Sequence, residues 1–116
     1  MKIPELLENA IEEKLKHIKL TELKQYASKL SEKYMYQERT GDTLLNTELE
    51  ALAYSVIRMP ATYGAVYTAL KNTLEKINCQ MQTVLDVGAG TGATAWAVSE
   101  LLDIKNIRCL ERERVM

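Results

Sequence analysis

Apolar residues recur at helical spacing through the first two thirds of the chain. Ile3, Leu7, Ile11, Leu15 and Ile18 stand three or four positions apart, with Leu6 and Ala10 beside them, which is the stripe of an amphipathic helix. Pro4 suits the first turn, where no backbone N–H is needed. A second stripe runs through Leu20, Leu23, Ala27, Leu30 and Tyr34. Thr21 is its predicted N-cap, and Glu22 favours the positive end of the helix dipole. The periodicity stops across Gln37–Asn46, where Gly41-Asp42 supplies turn chemistry and predicts a loop. Thr47 and Glu50 then form a T-x-x-E capping box, in which each side chain satisfies a free backbone donor of the first turn. Leu49, Leu52, Ala53, Val56 and Ile57 follow on one face. Pro60 lacks an N–H and is expected to end or kink that helix. A fourth helix, from about Ala61 to Ile77, carries Tyr63, Val66, Tyr67, Leu70, Leu74 and Ile77 as its stripe. These periodic positions are core and carry no chemistry by themselves.

The pattern changes near Asn78. Thr83 to Val87 is a short apolar run with β character, and Gly88, Gly90 and Gly92 follow it. Ala93 to Leu102 reads as a helix, and "NIRCLE" as a second strand. Strand, helix and strand with connections this short predict a right-handed βαβ unit. The chain shows no internal repeat and no low-complexity tract. It divides into a helical region, residues 1–79, and the start of a parallel α/β unit, residues 80–116.

Composition narrows the classes. The 116 residues are 47% apolar, enough to pack a core. The formal charge is -1, and residues 1–82 hold 11 Lys/Arg against 11 Asp/Glu, so no basic excess announces nucleic-acid binding. Cys79 and Cys109 lie far apart, and His17 is distant from both. No zinc pattern arises, and reduced thiols are expected. The Glu-rich N-terminus reads neither as a secretory signal nor as a mitochondrial presequence. No run approaches the roughly 20 apolar residues of a membrane span. The expectation is a cytoplasmic protein without a membrane partner.

The candidate chemistry sits in "TVLDVGAGTGATAWA". Glycines at a strand end let the chain turn sharply and leave room for a ligand against the backbone. The helix behind them offers free N–H groups. Two patterns fit: G-x-G-x-x-G/A from Gly88 to Ala93, the dinucleotide fingerprint, and D-x-G-x-G-x-G from Asp86. Asp86 tilts the choice. A carboxylate beside a pyrophosphate is repelled, whereas it suits the sulfonium and ammonium of S-adenosylmethionine. Glu111 ends the second strand, where an acid accepts hydrogen bonds from ribose hydroxyls in either cofactor class.

"VLDVGAGTG" resembles the first motif of class I S-adenosylmethionine-dependent methyltransferases. Together with "RMPATY" upstream and "CLERERVM" downstream, it resembles the ribosomal small-subunit methyltransferase-like family (Rsm twenty-two type). The resemblance implies a mostly helical α/β protein, with a bundle of about four helices before the first βαβ unit of a Rossmann-like methyltransferase sheet. It implies a partial S-adenosylmethionine site lined by Asp86, Gly88, Gly90 and Gly92, with Glu111 at the ribose. It also implies association with small-subunit ribosomal RNA or the ribosome. Arg58 and Tyr63 are expected either over the pocket mouth or at a kinked helix junction, with Arg58 on the surface and Tyr63 in the core. Trp96 is expected as a wedge between helix and sheet. Cys79 and Cys109 match no iron–sulfur pattern, and no metal ligand is assigned.

The two predicted strands are fewer than a complete sheet of that family. The chain is therefore expected to act as an N-terminal part, inactive alone, with no catalytic residue of its own. The alternative is a non-enzymatic small-subunit assembly factor that uses the methyltransferase fold as a scaffold. An open apolar edge on the first strand is expected to pair between chains, giving a homo-oligomer, or to be covered by a helix.

Overall fold

The computed structural model describes residues 2–37 and 47–116. Helix α1 spans Glu5–Leu15, α2 Leu20–Gln37 and α3 Glu48–Leu74; strand β1 (Thr83–Val87), helix α4 (Ala93–Leu101) and strand β2 (Asn106–Leu110) follow. The loop predicted after α2 falls on residues 38–46, outside the described residues.

Local chemistry explains most of the helix ends. Pro4 precedes α1 and its carbonyl accepts the N–H of Glu8 at 2.9 Å. Glu5 and Glu8 sit at the positive end and Lys14 in the last turn. Helix α2 begins at Leu20, so Thr21 lies in its first turn and is not the N-cap. Leu20 itself is 65% exposed, and the buried stripe is carried by Leu23 and Leu30. Thr47 caps α3, its Oγ1 accepting from the Glu50 N–H at 3.1 Å. Glu50 Oε2 meets Lys33 Nζ of α2 at 3.3 Å, so the cap residue also ties two helices.

Pro60 neither ends nor divides α3. The helix is continuous from Glu48 to Leu74 with Pro60 inside it. Proline removes the bond its N–H would give to the Val56 carbonyl. Burial on both sides outweighs that loss: Met59 is 1% and Tyr63 3% exposed, and both belong to one core. Only an unbroken helix keeps residues four apart on the same face. Among the described residues three helices therefore precede the sheet where about four were expected, and the mostly helical α/β character holds.

Two cores share α3. The first joins Leu7 of α1, Met59 and Tyr63 of α3, and Ala93 and Ala97 of α4, with Ile3, Ile11, Val66, Tyr67 and Trp96 packed around them. Small side chains at Ala93 and Ala97 let α4 lie close against α3. The second core joins Leu23 and Leu30 of α2 to Ala53 of α3, with Leu15, Ile18, Val115 and Met116 among its neighbours.

Strands β1 and β2 are parallel, with Asp86 opposite Cys109 and Val87 opposite Leu110. This is the predicted strand–helix–strand order. Alternation places Val84, Asp86 and Ile107 on a half-buried face. Leu85, Val87 and Leu110 on the other face are 59%, 73% and 50% exposed, so no helix among the described residues covers it.

Candidate functional site

The chain leaves β1 through three glycines with left-handed backbone: Gly88 at φ 74°, Gly90 at φ 55° and Gly92 at φ 81°. A side chain at any of them is strained. Gly92 is the residue from which α4 starts. Beside Gly88 the space where a Cβ would stand is open, with nothing within 4 Å.

The turn is held by its own hydrogen bonds. Gly88 and Ala89 both donate their N–H to the Leu110 carbonyl, at 2.8 and 3.0 Å, and Gly92 donates to Ala89 at 2.9 Å. Glu111 is the first residue after β2. Its Oε2 accepts the Gly90 N–H at 2.6 Å, and its Oε1 the Glu113 N–H at 2.8 Å. One carboxylate thus joins the glycine turn to the segment that follows β2. Partial burial alone would raise its pKa. The N–H groups of Glu113, Gly90 and Arg112, with the Arg112 charge, outweigh that and hold it below the ordinary 4.5.

Asp86 stands near the carboxyl end of β1, one residue before Val87. Its Oδ2 is buried and has no hydrogen-bond partner among the described residues. A buried carboxylate oxygen without a donor is costly, and Asp86 lies two residues before Gly88 on the same strand end. The sequence-predicted residues Asp86, Gly88, Gly90, Gly92 and Glu111 all belong to this one end of the strand pair.

Arg58 and Tyr63 are not at this end. Tyr63 is a core residue, its ring centroid 5.8 Å from that of Tyr67. Desolvation raises its hydroxyl pKa, and the Glu100 charge and Tyr67 add to that. Arg58 is exposed and lines a cavity of about 400 Å³ between α2 and α3. Trp96 packs against the first core, between α4 and the helical region, and its Cδ1 lies 3.9 Å from where a Gly92 Cβ would stand.

A second cavity, of about 280 Å³, adjoins the glycine turn at Thr91 and is lined by residues of α1 and α3, including Lys14 and Glu48. No sequence signal marked it. Lys14 and Glu48 read as solvated helix charges, and only the packing of α1 beside α3 brings them to one opening. Among the described residues no group of three or more His, Cys, Asp or Glu side chains is arranged to hold a metal. Cys79 and Cys109 are exposed free thiols. Among the same residues no helix is long and apolar enough to cross a membrane.

Among curated proteins no match is found. A family model described as mitochondrial small ribosomal subunit Rsm22 matches residues 48–116. The match takes in α3 with its "RMPATY" segment, the glycine turn and Glu111, which carry the candidate site and the part of the first core outside α1. It covers more than half of the chain, and the protein belongs to this small-ribosomal-subunit family.

Proposed function

We propose that this end of the strand pair is part of an S-adenosylmethionine site, in a methyltransferase-like protein that acts on small-subunit ribosomal RNA. One observation carries the reading: the buried, unpartnered Oδ2 of Asp86, two residues before a left-handed Gly88 that has no atom within 4 Å of where a Cβ would stand. Asp86 would face the cationic sulfonium, and Gly88, Gly90 and Gly92 would let the cofactor lie against the backbone. A carboxylate offers about four acceptor positions. Glu111 uses two on backbone N–H groups and keeps capacity for ribose hydroxyls. When bound, the cofactor supplies an activated methyl group. The described residues bind and orient it, and none is assigned a catalytic role.

Titration calorimetry with S-adenosylmethionine tests this. Asp86→Ala is expected to weaken binding by about tenfold, the loss of one charge-assisted contact. Equal heats for the two proteins at millimolar ligand would end the reading.

A second reading has its own support. The N–H groups of Gly88, Ala89, Gly90 and Gly92 are all satisfied within the chain. The turn therefore keeps its shape unaided, as a non-enzymatic assembly factor would require. RNA binding that falls with salt, with no response to S-adenosylmethionine, would favour it. The open face at Leu85, Val87 and Leu110 supports self-association under either reading, and a monomer by light scattering at high concentration would count against that.

A further inference from the structure

We propose that the cavity between α1, α3 and the glycine turn receives the amino-acid end of the cofactor, with Lys14 meeting its carboxylate and Glu48 its ammonium. The inference rests on the S-adenosylmethionine reading above and adds the helical region to the site.

The cavity, of about 280 Å³, has an apolar floor that includes the buried Leu7 and Met59. Thr91 joins it to the turn, and Ser55, Lys14 and Glu48 supply polar groups. Its volume lies just under the roughly 300–1,000 Å³ of pockets that take whole ligands, which suits one half of a ligand whose other half lies elsewhere. No aromatic ring among the described residues lines it, so these residues offer a base or an adenine no stacking surface.

The charges point to the class of group. Lys14 sits in the last turn of α1, and Glu48 is the first residue of α3. Among the described residues neither is engaged in a hydrogen bond or ion pair, not even with the other. One cation and one anion stand at a single opening over an apolar floor. A zwitterion on a short apolar chain complements that arrangement; a phosphate or a metal ion complements only one of the charges. Glu111, which does not line the cavity, is left for the ribose. The methionine portion then leaves the turn on the Thr91 side, over Met59.

Calorimetry with two probes separates the cavity from the rest of the site. S-adenosylmethionine carries the amino-acid end; methylthioadenosine has the adenosine and sulfur without it. Lys14→Gln and Glu48→Gln are each expected to weaken S-adenosylmethionine roughly three- to fivefold, the scale of a solvent-exposed charge contact. Methylthioadenosine should be unchanged, and Lys14→Arg should retain the wild-type affinity for S-adenosylmethionine. Both side chains are exposed, so the thermal melts of these variants should overlay the wild type. If neither substitution affects S-adenosylmethionine, or if both probes weaken equally, the cavity assignment is overturned while the cofactor reading stands. If the wild type binds neither probe, both fall together.

Discussion

Met59→Ala probes the packing that connects the helical region to the glycine turn. Met59 is the largest fully buried side chain among the described residues, 1% exposed, and its core partners are Leu7, Tyr63, Ala93 and Ala97. Truncating a buried Met, Leu or Ile to Ala costs about 2–5 kcal/mol, from lost transfer energy plus the space left behind. Two features place this site in the lower half. Met59 already borders the cavity at Thr91, so the vacated volume merges with space that water and Leu7 can enter. Its partners Ala93 and Ala97 lose few contacts because they have few atoms. The expected loss is therefore about 2–3 kcal/mol, or roughly 8–14 °C in melting temperature for a chain of this size. Urea denaturation followed by far-UV circular dichroism measures it directly. The slope should be unchanged, because both cores share α3 and open together. A loss under about 1 kcal/mol at unchanged slope would show that Met59 does not join these elements, and α3 would not be the helix that ties α1 to α4.

Other variants test separate parts of the structure. Ala97→Met places a long chain where exposure is 0% and should destabilise by about 1–3 kcal/mol through overpacking; a neutral melt would mean that α4 is not pressed against α3. Gly90→Ala meets only ordinary contact, at 4.0 Å to Met116 Cε, but holds φ at 55°, so it should cost about 1–2 kcal/mol from backbone strain alone. Glu111 is held below 4.5 in the folded chain. Its contribution is present above the unfolded-state value and is lost as pH falls through the lowered folded value. Acid titrations of wild type and Glu111→Gln should therefore converge only once pH has fallen below the lowered folded value, and parallel curves would refute the clamp. Tyr63 is raised above 10.0, so its phenol contributes stability that is lost as pH rises through the raised value; Tyr63→Phe should lessen unfolding in alkali, as followed by tyrosinate absorbance.

The sheet unit was legible because its determinants are local. Thr83–Val87 is bounded by glycines that only a turn tolerates, and the observed strand has those limits. The Thr47 cap was legible for the same reason. Pro60 was not, because proline's local preference opposes a burial pattern that depends on α1 and α4, both distant in sequence. Tyr63, by contrast, was legible as a core residue from its place in the apolar stripe, although which residues it meets, Leu7 and Ala97 among them, was not. The residues expected at the site were recognisable from their spacing. The orphaned Asp86 oxygen and the two charges at the Thr91 cavity, unpaired among the described residues, were not, because each depends on what packs nearby in space.

The clasp at Leu110 and Glu111 makes the turn preorganised. Its backbone adopts its shape without a ligand, so binding need not bear the entropy of ordering a loop, and association should proceed without a slow conformational step. The same self-sufficiency bears on how such a family diversifies. A relative that bound no ligand here would lose nothing of this clasp, because the N–H groups of Gly88, Ala89, Gly90 and Gly92 are satisfied within the chain. Selection for a stable shape alone would then retain the three glycines and the acid after β2.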